Sequence, residues 1–448
     1  MTKKLTLFLL TYCFAFPPFA AAQKVNTSKL DSLFNSLDKK NKAMLSVRIS
    51  RNGKELYSRS IGYATINGSK KIKASSDTKY RIGSVSKMFT AAMIFQLIEE
   101  NKLSLTTPLS DFFPQVPNAK SITIGNILNH HSGIHDFTRD STYQDWMTLP
   151  RTHEQMVSTI IAGVPAFSPG EKGQYSNSNY VLLGYIIEKI TGDSYDKELN
   201  KRIILKLGLK NTYYGGKIDS KHKEASSYEY QDGKWVEGPE TDMSIPGGAG
   251  AIVSTPKDLS IFIDGLFKHK LMSDSSLGMM TTLTDTYGMG IFKSPFYQKY
   301  SFGHTGAIDD FTAALDYYPE DSTVLAMTCN GLNYKMNSIA IGTLSIYYDI
   351  PYAIPTFKTI EINPEKLAAY EGIYSSKTIP IKLAIKIDGG TLTAQATGQS
   401  PFPLEALSDS KFQFEDAGIE IAFHISEDNK VDHLTITQRG QPQVFEKE

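Results

Sequence analysis

Leu30, Leu33, Phe34 and Leu37 recur at three- and four-residue intervals within residues 26–40, the spacing of one buried helical face. A strand-like run follows at residues 44–50, Asn52-Gly53 marks a tight turn, and a second strand is predicted over 55–64. Within 84–101 the apolar positions Met88, Ala91, Ala92, Phe95, Leu97 and Ile98 predict one long buried helix with Ser84 at its N-terminus. Shorter helical patterns lie at 124–129, 179–191 and 256–270. Thr255 caps the last of these, with Pro256 at its first position and Asp258 at its third. Strand character returns at 300–303, 311–317 and 324–328, and a closing helix is predicted over 338–348. Strands from both ends of the segment with helices between them describe an α/β sandwich whose sheet is completed late.

Pro351-Tyr-Ala-Ile-Pro355 reads as a linker. Beyond it, from about residue 363, β-branched and aromatic residues alternate with polar ones in short runs such as 381–387, and Gly389-Gly390 marks a turn, the pattern of an all-β module. The expected division is 1–22, 23–355 and 356–448. The first of these has the form of a secretory leader: Lys3 and Lys4, an apolar stretch over 5–20, then Ala20-Ala21-Ala22 before Gln23. Export to the periplasm or beyond, with cleavage after Ala22, is therefore expected. The stretch is short for a bilayer span and is broken by Pro17-Pro18, so no integral membrane anchor is expected after cleavage. Cys13 lacks the small preceding residue that a lipid anchor requires.

With 448 residues, 41% of them apolar, the chain can bury at least one large core, which excludes disordered and fibrous classes. Acidic and basic residues balance at 47 each, which points away from nucleic acid and from anionic membrane surfaces as partners. Loss of the leader leaves Cys329 as the remaining cysteine, so no internal disulfide can form, and its apolar setting reads as a small buried hydrophobe on a strand. None of the nine histidines sits at zinc-ligand spacing, and no metal or other cofactor is expected.

A serine hydroxyl is a poor nucleophile at neutral pH and needs a base beside it. Ser84-Val85-Ser86-Lys87 supplies one if helical, because side chains three apart share a face. The spacing alone is weak: Ser-x-x-Lys recurs at Ser36, Ser76, Ser194, Ser220, Ser254 and Ser408. Only Ser84 follows an apparent strand end, Tyr80-Arg-Ile-Gly, and opens a long apolar helix. Tyr175-Ser176-Asn177, in an irregular stretch before a helix, can turn a phenol and an amide into one cleft. His304-Thr305-Gly306 follows the strand-like 300–303 and brings an imidazole, a hydroxyl and a glycine that permits close backbone approach. His131-Ser132-Gly133 ends a helix and reads as structural, with His130 as a helix C-terminal cap.

Ser-x-x-Lys, Tyr-Ser-Asn and His-Thr-Gly in this order resemble the serine β-lactamase and penicillin-binding-protein superfamily. The likeness is closest to the branch of class C β-lactamases, DD-carboxypeptidases, D-aminopeptidases and related esterases. The accessory segments 81–90, 127–134, 175–184 and 248–255 agree, so that the resemblance runs from about residue 28 to 350. It implies a β-lactamase-like sandwich, an antiparallel sheet flanked by helices with a helical subdomain. The segment 367–374 is similar to the start of the lipocalin-like barrel appended to many such hydrolases, which either shapes the substrate site or serves as a bystander or assembly module.

The resemblance further implies that Ser84 forms an acyl-enzyme and that Lys87 and Tyr175 share the acid and base work. Asn177 would hold the substrate amide. His304 would add a hydrogen bond or positive charge near Tyr175 and a substrate carboxylate, with Thr305 and Gly306 also contacting substrate. The backbone N–H groups of Ser84 and Ala307 would form the oxyanion hole. Two departures stand out. Class C β-lactamases usually carry lysine where His304 stands, which turns the reading toward peptidases and esterases. Asp309-Asp310 replaces the small residues common in relatives; if either acid faces the cleft, a substrate bearing an amine is favoured.

The resulting expectation is an exported serine hydrolase acting on a small-molecule or peptide substrate, first a peptidase or amidase of D-amino-acid or peptidoglycan-like peptides. An esterase, a β-lactamase and a catalytically silent binding relative are the alternatives, and homo-oligomerisation stays open.

Overall fold

The computed structural model describes residues 25–357 and 362–448, apart from 415, 416, 418, 427–429, 439 and 440. The leader expected over residues 1–22 lies outside the described residues.

The main path of the eight-stranded sheet is antiparallel, in the order Phe292–Phe296, Lys299–Ile308, Phe311–Tyr318, Thr323–Leu332, Ala43–Arg51 and Lys54–Ile61, with Tyr228–Gln231 joining Thr323–Leu332 in parallel and Lys234–Glu237 beside it. The two N-terminal strands join the C-terminal ones through Ala43–Arg51 against Thr323–Leu332, which is how the sheet is completed late. Both faces are buried. On Phe311–Tyr318 and Thr323–Leu332, residues Ala313, Leu315, Val324 and Ala326 face the larger core, where Phe262 and Ile263 of the helix Pro256–Phe267 pack. Ala314, Leu325, Met327 and Cys329 face the other core, with Leu33 and Phe34 of Thr27–Lys39 and Ile339 of Met336–Tyr347. Burial on two sides explains why 324–327 reads as an unbroken apolar run rather than an alternation.

Several boundaries differ from the sequence reading. The run over 55–64 is two strands, Lys54–Ile61 and Tyr63–Asn67, because the chain turns at Gly62 with φ +74° against Met44. The helix expected over 179–191 begins at Asn177, and that expected over 256–270 ends at Phe267. Ser86–Glu99 is buried on nearly every side, with Met88, Phe89, Met93, Ile94 and Phe95 inaccessible to solvent, as befits a helix that is apolar all round. It is entered through a tight turn, Gly83–Val85, that carries Ser84.

Residues 351–357 have no regular structure yet are not a free tether. Ser36 Oγ donates to the Pro355 carbonyl at 2.7 Å, and the Tyr352 ring packs against Gly342. The C-terminal part is a nearly closed, barrel-like sheet of nine strands that opens with a short helix, Pro364–Tyr370, absent from the all-β reading. The segment expected to open the barrel is thus helix first and strand, Gly372–Ser375, second. The ends of the strand path, Phe402–Pro403 and Glu405–Ala406, are separated only by buried Leu404, so the sheet's two edges meet. Among the described residues no helix is long and apolar enough to cross a membrane.

Candidate active site

The turn Gly83–Val85 and the first turn of Ser86–Glu99 put Ser84 and Lys87 on one face, with Lys87 Nζ 2.9 Å from Ser84 Oγ. The amine, wholly buried, also donates to Asn177 Oδ1 and to the Ala249 carbonyl, each at 2.8 Å. Burial pushes its pKa from 10.5 down to about 7, against the pull of the Asp136 charge. Near neutrality Lys87 can therefore give up its proton. Its two remaining N–H bonds are then matched by Asn177 and Ala249, and its lone pair faces the serine hydroxyl.

Tyr175 interacts through its hydroxyl with Ser84, and burial raises its pKa further above the ordinary phenol value. Its loop is templated by residues 130–133. The amides of Gln174, Gly170 and Ala166 donate to the carbonyls of His130, His131 and Gly133. His130, expected as a helix cap, bonds none of the helix carbonyls through its side chain. Its Nδ1 accepts from the Ser176 amide at 3.2 Å, and its ring lies 4.4 Å from that of Tyr175. Asn129 takes the C-terminal position of that helix instead. His131 is a structural link, its Nε2 3.0 Å from Asp285 Oδ2.

Asn177 sits between two partners. While Oδ1 takes the lysine, Nδ2 donates to Asp136 Oδ2 at 3.3 Å and to Thr138 Oγ1 at 3.1 Å. Asp136, almost inaccessible, also caps the turn Phe137–Arg139. That local role is the only one its sequence context suggests, and its reach to Asn177 was not anticipated.

The strand Lys299–Ile308 pairs with Phe292–Phe296 only as far as Gly303, so 304–308 has one edge free of that neighbour beside the serine turn. Gly306 is pressed against this turn: a Cβ there would lie 2.0 Å from the Ile82 carbonyl oxygen and 3.1 Å from the Ser84 nitrogen. A Cβ on Gly83 would likewise lie 2.8 Å from the Ala307 nitrogen, so the serine turn and the strand touch backbone to backbone. His304 is buried against Phe292 and Tyr175, with ring centroids 4.7 and 6.2 Å away. Burial and the Lys87 charge push its pKa down to about 3, so the ring is neutral at physiological pH. Its Nδ1 faces the Thr305 carbonyl and its Nε2 has no hydrogen-bond partner. His304 thus keeps one unengaged ring nitrogen beside Tyr175. Thr305, between His304 and Gly306 on the same strand, is exposed.

Ser84, Asn177 and Ala307 open onto a cleft of ≈ 440 Å³ walled by Phe137, Tyr143, Met147, Pro239 and Ile308. Asp309 and Asp310 also border it. The Asp309 carboxylate is consumed: Oδ2 meets Arg81 at 3.0 Å, and Oδ1 accepts from the Thr241 amide and hydroxyl at 3.0 and 2.6 Å. Both of its oxygens are thus already engaged by protein donors, and Arg81 is shared with Glu240 at 2.9 Å.

The family described as Beta-lactamase matches residues 30–341. The teichoic acid D-alanine hydrolase of Staphylococcus aureus is 27% identical over 344 residues, 73% of this chain and 82% of that protein. The octameric penicillin-binding protein homologue from Pyrococcus abyssi superposes with a TM-score of 0.67 at 25% identity, over 94% of this chain and 100% of its own. The D-amino acid amidase from Ochrobactrum anthropi SV3, complexed with L-phenylalanine amide, superposes with a TM-score of 0.62 at 26% identity, over 72% of this chain and 99% of its own.

Proposed function

The chain belongs to the Beta-lactamase family and is a serine hydrolase, and from that premise we propose that Ser84 forms the acyl-enzyme on D-aminoacyl amides or esters that lack a carboxylate beside the scissile bond. The 2.9 Å contact between the Ser84 hydroxyl and an amine shifted to about 7 carries the nucleophile assignment. Lys87 is the base for acylation. At pH 7 its neutral form is well populated, whereas burial of Tyr175 makes a tyrosinate scarcer than in water. Tyr175, a neutral phenol against Ser84, gives its hydroxyl proton to the leaving group and is reprotonated by the ammonium that Lys87 has become. The amides of Ser84 and Ala307 receive the developing oxyanion. Asn177, occupied on both ends, seats Lys87 rather than serving substrate alone.

The preference for uncharged acyl donors follows from the cleft's charges. Among the described residues no lysine or arginine lines it, and His304 is neutral. A C-terminal carboxylate would therefore be desolvated without a cation, at a cost of several kcal/mol. The D-alanine hydrolase and D-amino acid amidase among the relatives support the same reading. Incubation with a fluorophosphonate followed by peptide mapping should place the adduct on Ser84. In a parallel panel, D-amino acid amides and D-alanyl esters should be turned over at least tenfold faster than N-acyl-D-Ala-D-Ala or nitrocefin. An adduct elsewhere, or the opposite order, sinks the proposal.

Asp136 positions Asn177, and its charge holds the lysine's proton. Asp136→Asn should lower kcat about tenfold, the worth of one charge-assisted hydrogen bond. It should also move the acidic limb of the rate profile to lower pH, because the Asp136 charge raises the Lys87 pKa. A limb that stays in place would make Asp136 purely structural.

Export, with Gln23 as the mature N-terminus, belongs to the same proposal. So do the division at residue 355 and a homo-oligomeric state, the last supported by the octameric relative.

A further inference from the structure

The titratable side chains bordering the cleft are Tyr143, Asp309 and Asp310. Tyr143 is a phenol pushed up to about 12 by burial, and Asp309 is spent on Arg81 and Thr241. Asp310 is different. Among the described residues no hydrogen bond or ion pair reaches its carboxylate. One oxygen is buried without a partner against Gly238, where a Cβ would fall 1.8 Å from Oδ2. Burial, then repulsion from Glu229 and Asp309, raises its pKa, so the ionised form is held at a cost that an arriving cation would relieve.

An acid left unpaired in a binding cleft that no basic side chain lines selects for positive charge on the ligand. We propose that Asp310 binds the free ammonium of an amine-bearing acyl donor, a D-aminoacyl ester or amide, whose apolar part lies along Phe137, Tyr143 and Met147. This rests on the acyl-transfer reading of Ser84 and names the group by which that site would recognise its substrate. The amine donates to the other oxygen, Oδ1, since Oδ2 is enclosed against Gly238, and the charge-assisted contact gives roughly 10–150-fold in affinity.

Protection of Ser84 from fluorophosphonate labelling reads this without requiring turnover. D-Phenylalaninamide and N-acetyl-D-phenylalaninamide are compared at pH 7 in the wild type, Asp310→Asn and Asp310→Glu. The ratio of the two protecting concentrations within each protein removes any change in labelling rate. The amine should protect at least tenfold better in the wild type, the advantage should fall to about twofold or less in Asp310→Asn, and Asp310→Glu should restore part of it. Equal protection by both compounds in the wild type, or a ratio unchanged in Asp310→Asn, overturns the inference alone. No labelling of the wild type brings down the acyl-transfer reading and the inference with it.

Discussion

Lys87→Met should cut kcat/KM by about 10³ while changing stability at pH 7 by only about −1 to +3 kcal/mol. The activity loss is that of a positioned base, on the order of 10²–10⁴. The stability result follows from opposing terms. Depression of the amine from 10.5 to about 7 corresponds to roughly 5 kcal/mol of destabilisation when the group must be buried protonated. Methionine removes that penalty and leaves Asn177 Oδ1 and the Ala249 carbonyl without their donor, at about 1–3 kcal/mol each. The pH dependence separates this account from a simple packing effect. Below pH 7 both folded and unfolded chains hold the proton and the penalty is complete. Between pH 7 and 10.5 the unfolded chain binds the proton and the folded one does not, so stability rises with pH at about 1.4 kcal/mol per pH unit. Urea unfolding at pH 7 and 9 should show this rise in the wild type relative to Lys87→Met. Parallel curves would mean that Lys87 is not held neutral. The wild-type kcat/KM should rise through an apparent value near 7 as the same amine loses its proton.

Gly306→Ala should lower kcat by about 10²–10³ and cost roughly 2–3 kcal/mol of stability. The added methyl meets the Ile82 carbonyl oxygen at 2.0 Å, backbone against backbone, so no side chain can swing away to admit it. The strand Lys299–Ile308 or the serine turn must move, and either displacement parts the Ser84 and Ala307 amides. Ser294→Ala, exposed on the neighbouring strand Phe292–Phe296, is the control and should change neither quantity by more than about twofold or about 0.5 kcal/mol. Near-wild-type kinetics in Gly306→Ala would remove the oxyanion role from this pair of amides.

The parts of the site legible along the chain are those made by short-range geometry. Three-residue spacing on a helix puts the Ser84 hydroxyl next to the Lys87 amine whatever packs outside, and Tyr175-Ser-Asn177 carries both side chains on one short segment. The support around them was not legible. Asp136 looks like the cap of its own turn, which it is; only folding brings it to Asn177. His130 resembles a helix cap because its contact with Tyr175 joins residues 45 apart in the chain. Asp309 and Asp310 are adjacent and chemically identical, yet one is paired with Arg81, 228 residues away, and the other is left without a partner.

By itself the sequence determined the α/β sandwich pattern and the buried helix behind Ser84, because each follows from periodicity within a few residues, and the order of the three motifs carried the family resemblance that implies the reaction class. Tertiary structure alone decided the charge states: Lys87 poised near neutrality, His304 uncharged, Asp309 spent and Asp310 unpaired. A group's ionisation depends on how much water and which charges remain around it. At this site those are set by strands, loops and helices drawn from residues 81 to 310, a distance over which no local pattern carries information.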